Sequence, residues 1–135
     1  MGIAGLRLLL DTHAFLWWLG GDAALSVRAR EAMADAANDV FVSAASAWEI
    51  ATKHRVGKWP EVAPIVEAFE TFVLRSRFGL LPISALHARV AGMLEGLHRD
   101  PFDRMLIAQA REDDLTIVSA DRIFRSYGAA VIWDT

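Results

Sequence analysis

Five short apolar runs punctuate the chain, and the first of them, Leu6–Leu10, stops abruptly at an aspartate, Asp11. The others are Val40–Ser43, Leu80–Ile83, Thr116–Ser119 and Ala130–Trp133, each of strand length. Between them the spacing of apolar residues and the capping signals predict helices. One runs from His13 to Leu19, with Thr12 as a possible N-cap and Gly20-Gly21 stopping it. Ser26 caps a second that reaches about Ala37, and Ala44 to about Arg55 forms a third. A fourth is expected from near Val62 to Arg77, with Pro64 in its first turn. Ser84 caps a fifth to about Leu97, and Asp100-Pro101 opens a sixth that ends near Asp113. Short, continuously apolar strands alternating with helices predict an α/β fold: a parallel sheet with helices on both faces. No repeat, linker or shift of composition divides the sequence, so residues 1–135 are expected to form one domain.

Composition narrows the function. With 54% apolar and 23% charged residues, the chain is neither disordered nor of low complexity. No apolar run approaches the roughly 18–20 residues of a membrane-spanning helix, and Asp11 and His13 interrupt the N-terminal apolar stretch before a signal-peptide core forms. A soluble cytoplasmic protein without a membrane partner is the expectation. There is no cysteine, which removes disulfides, thiol catalysis and cysteine-ligated metals. The formal charge of −3 argues against gripping nucleic acid purely through a basic surface. It leaves a nuclease open, because carboxylates that hold metal ions count as negative until the ions arrive.

In parallel α/β sheets, functional groups gather outside the carboxyl ends of the strands. Asp11 follows the first strand directly, and Asp121 lies two residues after Ser119 closes the fourth. Glu49 is on the helix after the second strand, and Asp103 is in the first turn of the helix before the fourth. Each has an ordinary alternative. Asp11 could cap the helix after it, although Thr12 would then fall inside that helix. Glu49 completes a Ser46-x-x-Glu49 capping box or pairs with Lys53 at i,i+4. Asp103 could complement the helix dipole, and Asp121 could start a turn. Four independent caps would have no reason to share one end of the strands. Converging carboxylates repel one another unless cations neutralise them, and an all-oxygen donor set selects Mg²⁺ or Mn²⁺. Such a site suits phosphodiester hydrolysis, in which the ions activate water and stabilise charge on the leaving oxygen.

Four segments carry a resemblance: LLLDTHAFLWWL at Leu8–Leu19, VSAASAWEIATKHRVGK at Val42–Lys58, HRDPFDRMLIAQA at His98–Ala110 and IVSADRIF at Ile117–Phe124. With them the chain resembles the PIN-domain family of metal-dependent ribonucleases, and within it the VapC-type toxins of toxin–antitoxin pairs. The segments span essentially the whole chain, and DPFDRMLIAQA is the most specific of them. The resemblance implies a PIN-like three-layer fold with a five-stranded parallel sheet and an acidic site at its carboxyl edge. It places the family's acidic positions on Asp11, Glu49, Asp103 and Asp121, with Asp103 rather than Asp100 chosen because Arg104 follows it. Ser119, two places before Asp121, and Thr12 are supporting residues. Asp11 and Asp103 are expected to bear most of the Mg²⁺ or Mn²⁺ binding, with Glu49 as base or outer support. The implied activity is endoribonuclease cleavage by a toxin, the implied partners RNA, a VapB-like antitoxin and a second copy in a homodimer.

Two further groups stand out. Phe15 to Leu19 surround one short helix with apolar groups, which makes Trp17 and Trp18 candidates for one core and one interface residue, with Trp48 and Trp59 extending the interface. The resemblance suggests a groove for the antitoxin's amphipathic tail. Arg104 and Arg122, each beside an acid, are candidate phosphate contacts, or else ion-pair partners of those acids. His13 is expected to pack or to touch substrate, and His98 to be a loop residue. A haloacid-dehalogenase-like phosphatase would need an aspartate where His13 stands. A catalytically inactive PIN module that only binds protein or RNA is the remaining alternative, and the presence of all four acids speaks against it.

Overall fold

Leu8, Leu9 and Leu10 are each completely buried, and they alternate between the two faces of the central strand. The computed structural model describes residues 5–96 and 98–134. The chain runs β1 (Arg7–Leu10), α1 (Thr12–Gly20), α2 (Val27–Ala34), β2 (Asp39–Ser43) and α3 (Ala44–Arg55). A 3-10 turn (Pro60–Val62), α4 (Ala63–Glu67), α5 (Phe69–Arg75), β3 (Gly79–Leu81) and α6 (Ala85–Met93) follow. It closes with α7 (Pro101–Asp113), β4 (Thr116–Val118), α8 (Ile123–Ser126) and β5 (Val131–Ile132).

The five strands form one sheet in the order β3-β2-β1-β4-β5, and every pairing is parallel. Leu8, Leu10, Val40, Val42, Val118 and Ile132 pack with α1, α2 and α5 on one face. Leu9 and Ile117 meet Leu106, Ile107 and Phe124 from α7 and α8 on the other. Burying such side chains stabilises the fold by about 1.5–3 kcal/mol each. The α/β three-layer architecture expected from the sequence is thus the one observed. No helix among the described residues is long and apolar enough to cross a membrane.

β1 is central, with β2 on one flank and β4 on the other, so the chain changes direction across it. Crevices open at such switch points, outside the carboxyl ends of the strands. Asp11 stands there, its N–H still bonded to the Val118 carbonyl at 3.1 Å.

Several boundaries differ from the sequence reading. Asp11, not Thr12, is the N-cap of α1, accepting from the Ala14 N–H, and Thr12 lies inside the helix. α2 ends at Ala34, where Asp35 turns to an extended conformation, short of Ala37. Ser43 caps α3, so Ser46 and Glu49 make no capping box. The helix expected over Val62 to Arg77 is broken at Ala68, whose φ of −128° leaves the helical region. α6 ends at Met93, and the end expected at Leu97 lies outside the described residues.

Candidate functional site

The carboxyl end of β1 and the start of α1 coincide at Asp11, which fixes its side chain from two directions. Oδ1 accepts the Ala14 N–H at 2.8 Å, and Oδ2 accepts the Ser119 hydroxyl at 2.5 Å. Ser119 also accepts the Asp121 N–H at 2.9 Å, tying the ends of β1 and β4 together. Burial pushes the Asp11 carboxyl from 3.8 up to about 6. The bonds from Ser119 and Ala14 oppose that rise, whereas the charges of Glu49 and Asp121 add to it.

Glu49 faces the same space from α3, one turn beyond the start of a helix that follows β2 without a loop. The Thr12 hydroxyl donates to its Oε1 at 2.6 Å and lies 3.0 Å from Ser46 Oγ. Its other oxygen pairs with Lys53, the i,i+4 partner expected as an alternative to a functional role. The Lys53 ammonium also sits 4.7 Å above the Trp59 ring. Lys53 thus carries a positive charge on the wall of an acidic cleft.

α7 brings the remaining inward acid. Asp100 is its N-cap, accepting from the Phe102 and Asp103 N–H groups at 2.9 and 3.0 Å. That frees Asp103 from capping, and its carboxylate meets His98 Nε2 at 2.9 Å. Burial again raises the pKa, to about 6, against the lowering influence of His98 and with help from the Asp100 and Glu49 charges. Asp121, exposed beyond β4, starts a turn by accepting the Ile123 N–H at 3.0 Å.

These residues line one cleft of about 300 Å³, to which Asp11, Glu49, Asp100, Asp103 and Asp121 all contribute. Its contents test the fit of a divalent ion. The donors are hard carboxylate oxygens, as Mg²⁺ and Mn²⁺ require. Among the described residues, no three acids or histidines are already gathered around one point as a metal cage would hold them. Mg²⁺ needs no such cage, since it is commonly held by one or two carboxylates and retains several waters. The donor chemistry fits such an ion, and Asp11 and Asp103 could hold it, since Glu49 is already engaged by Thr12 and Lys53.

A family model described as PIN domain matches residues 8–130. The chain belongs to the PIN-domain family. It is similar to Ribonuclease VapC22 of Mycobacterium tuberculosis, 28% identical over 121 residues that cover 89% of this chain and 91% of that one. Among solved structures it is similar to VapBC2 from Rickettsia felis bound to a promoter DNA fragment, with a TM-score of 0.69 and 18% identity. That match covers 96% of this chain and all of the other. Mycobacterium tuberculosis VapC20, described as a Sarcin-Ricin loop cleaving toxin, gives a TM-score of 0.63 at 16% identity over 93% of this chain and 98% of that one. The PIN resemblance read from the four sequence segments therefore holds across the fold.

Outside the cleft, this PIN domain departs from the sequence reading of its arginines. The Arg104 guanidinium is spent on main-chain carbonyls of Ala91, Leu94 and His98 and lines no part of the cleft. Arg122 is exposed at the start of α8 and lines none of it either. The basic residue on the cleft wall is Lys53, for which the sequence favoured the plain i,i+4 pair.

The aromatics divide. Trp18 packs on Phe78, with centroids 5.3 Å apart, against the main core. Trp17 lies between His13 and Trp133 and borders both the acidic cleft and a second groove of about 570 Å³. Leu16, Trp59, Ile65 and Phe72 make that groove chiefly apolar. Trp48 is 52% exposed and stacks edge-on against Phe102 at 4.6 Å, away from the groove.

Proposed function

We propose that this PIN domain is an endoribonuclease toxin that hydrolyses RNA phosphodiester bonds in the acidic cleft with Mg²⁺ or Mn²⁺. One observation carries the reading: four acids from four separate segments, Asp11, Glu49, Asp103 and Asp121, line a single cleft at the sheet's switch point. Asp11 and Asp103 would hold the ion, with Glu49 and Asp121 adding to the negative charge of the cleft. When bound, the ion supplies charge neutralisation for the attacked phosphate and acidifies water.

The chain's own residues supply the positioning. Ser119 fixes the rotation of Asp11, and Thr12 fixes Glu49. Glu49 is placed to take the proton of an attacking water, since its carboxylate faces the cleft and accepts rather than donates. Lys53, held between Glu49 and Trp59, offers its ammonium to a phosphate oxygen. Similarity to Ribonuclease VapC22 supports RNA as the substrate.

The same reading includes a VapB-like antitoxin. The neighbouring VapBC2 structure is a toxin–antitoxin assembly, and here the apolar groove shares His13 and Trp17 with the cleft. An amphipathic helical segment seated in that groove would end against the acids and block substrate.

The test is cleavage of a structured RNA in Mn²⁺ and in chelator by the wild type and by Asp103→Asn. Metal-dependent cleavage by the wild type, lost in a folded Asp103→Asn, is the expected result. Equal cleavage by both proteins at saturating Mn²⁺ would remove Asp103 from the site. Binding of RNA without cleavage under any metal would make this an inactive binding module.

A further inference from the structure

Each inward acid of the cleft is held by a partner of its own. Asp11 has Ser119 and the Ala14 N–H, and Glu49 has Thr12 and Lys53. For the Asp103 carboxylate, the hydrogen bond found among the described residues is the one from His98. An aspartate's terminal torsion is broad and roughly two-fold, so an unheld carboxylate samples many orientations. We propose that His98 is a positioning residue for Asp103, and that Arg104 keeps it in place by clamping the connection between α6 and α7. The inference rests on the reading of Asp103 as a metal ligand.

The clamp is a closed circuit. Arg104 follows Asp103 on α7, and its guanidinium reaches back to the end of α6. Nε and Nη2 donate to the Ala91 carbonyl at 3.1 and 2.9 Å, and Nη2 donates to the Leu94 carbonyl at 2.6 Å. The last carbonyls of a helix lack intrahelical partners, and a guanidinium satisfies several at once. Its Nη1 then donates to the carbonyl of His98 at 3.1 Å. From that fixed backbone, the His98 ring returns to Asp103 through Nε2 at 2.9 Å. Gly96 narrows the course of the connection further. Its φ is +117°, which favours glycine, and a Cβ there would lie 2.4 Å from the Tyr127 hydroxyl, so any side chain would have to displace that ring.

Metal sites commonly use this device: an outer residue hydrogen-bonds a ligating carboxylate, and removing it costs about 10–100-fold in metal affinity. The arrangement gives Arg104 a role at the site without any contact to phosphate. It also explains why an arginine directly after the acid, pointing around the helix from it, is no ion-pair partner for Asp103.

Titrating free Mn²⁺ by electron paramagnetic resonance, with unfolding in chelator as a control, tests the inference. His98→Ala should weaken Mn²⁺ binding by about 10–100-fold while its melting temperature in chelator stays near the wild-type value. His98→Gln, whose Nε2 can occupy the imidazole nitrogen's place, should recover most of the loss. In the His98→Ala background, Arg104→Lys should weaken binding no further, because the circuit is already open. Wild-type affinity in His98→Ala, alongside lost affinity in Asp103→Asn, would overturn the inference and leave the metal reading standing. Wild-type binding that Asp103→Asn does not weaken would overturn both.

Discussion

Asp11→Asn separates a carboxylate kept for its charge from one kept for its shape. Asn is nearly isosteric, and its Oδ1 can still accept the Ala14 N–H, so the cap of α1 is retained. The charge is what changes. Burial holds the Asp11 carboxyl at about 6 against 3.8 in the unfolded chain, so the folded state binds the proton more tightly. The cost of ionising it is absent below pH ~4, grows between pH ~4 and ~6, and is fully present above that. Stability therefore falls as pH rises through this window. A difference of about two pKa units corresponds to about 3 kcal/mol at neutral pH. Rearranging the Ser119 hydrogen bond returns about 1 kcal/mol of that, leaving an expected net gain of about 2 kcal/mol for the variant at pH 7.5. Asp103, pushed in the same direction, titrates in both proteins and cancels in the difference. Urea unfolding in chelator at pH 7.5 and at pH 4 measures it, with the two proteins compared at equal m-values. Asp11→Asn should be the more stable protein at pH 7.5 and equal to or slightly below wild type at pH 4. A loss of about 0.5–2 kcal/mol at both pH values is instead the signature of a helix cap alone, and would mean that the Asp11 charge costs the fold nothing.

The reverse perturbation is to add the cation. Mn²⁺ at a hundredfold excess over its Kd should stabilise the wild type by about 2.7 kcal/mol, sodium at matched ionic strength should not, and thermal scans of Asp11→Asn should show little response. Trp17→Ala should weaken association with the antitoxin by about 2 kcal/mol or more and leave Mn²⁺ binding unchanged, because its ring walls the groove. Trp18→Ala should instead lower stability, by less than the roughly 3 kcal/mol of a fully buried aromatic, because its half-buried ring packs on Phe78 at the edge of the core. Identical losses of stability in both tryptophan variants, seen by calorimetry, would contradict that division.

What the sequence revealed follows from how local each signal is. α3 and α7 begin and end where expected, because a strand runs straight into one and Asp100-Pro101 announces the other. The placement of the four acids on one edge followed from the parallel order of the strands, which alternation alone implies. The break at Ala68 had no glycine or proline to mark it, and the apolar spacing runs through it uninterrupted. α8, four residues long, is too short for periodicity to register. Asp11 and Thr12 are both good caps, and only the bond from the Asp11 N–H to β4 decides between them. Arg104 adjoins Asp103 in sequence, yet successive helical residues point about 100° apart, so adjacency misled. His98 gave no sign of its role, because its place beside Asp103 depends on tertiary bonds that its own sequence neighbourhood does not announce.

The cleft is proposed to hold a divalent ion between Asp11 and Asp103. Crystals grown with Mn²⁺, with anomalous scattering recorded from that ion, test it most directly. An anomalous peak within coordination distance of a carboxylate oxygen of each is expected, with His98 Nε2 still on the second oxygen of Asp103. Well-ordered crystals at saturating Mn²⁺ with no peak in the cleft, or with the ion bound elsewhere, would contradict it.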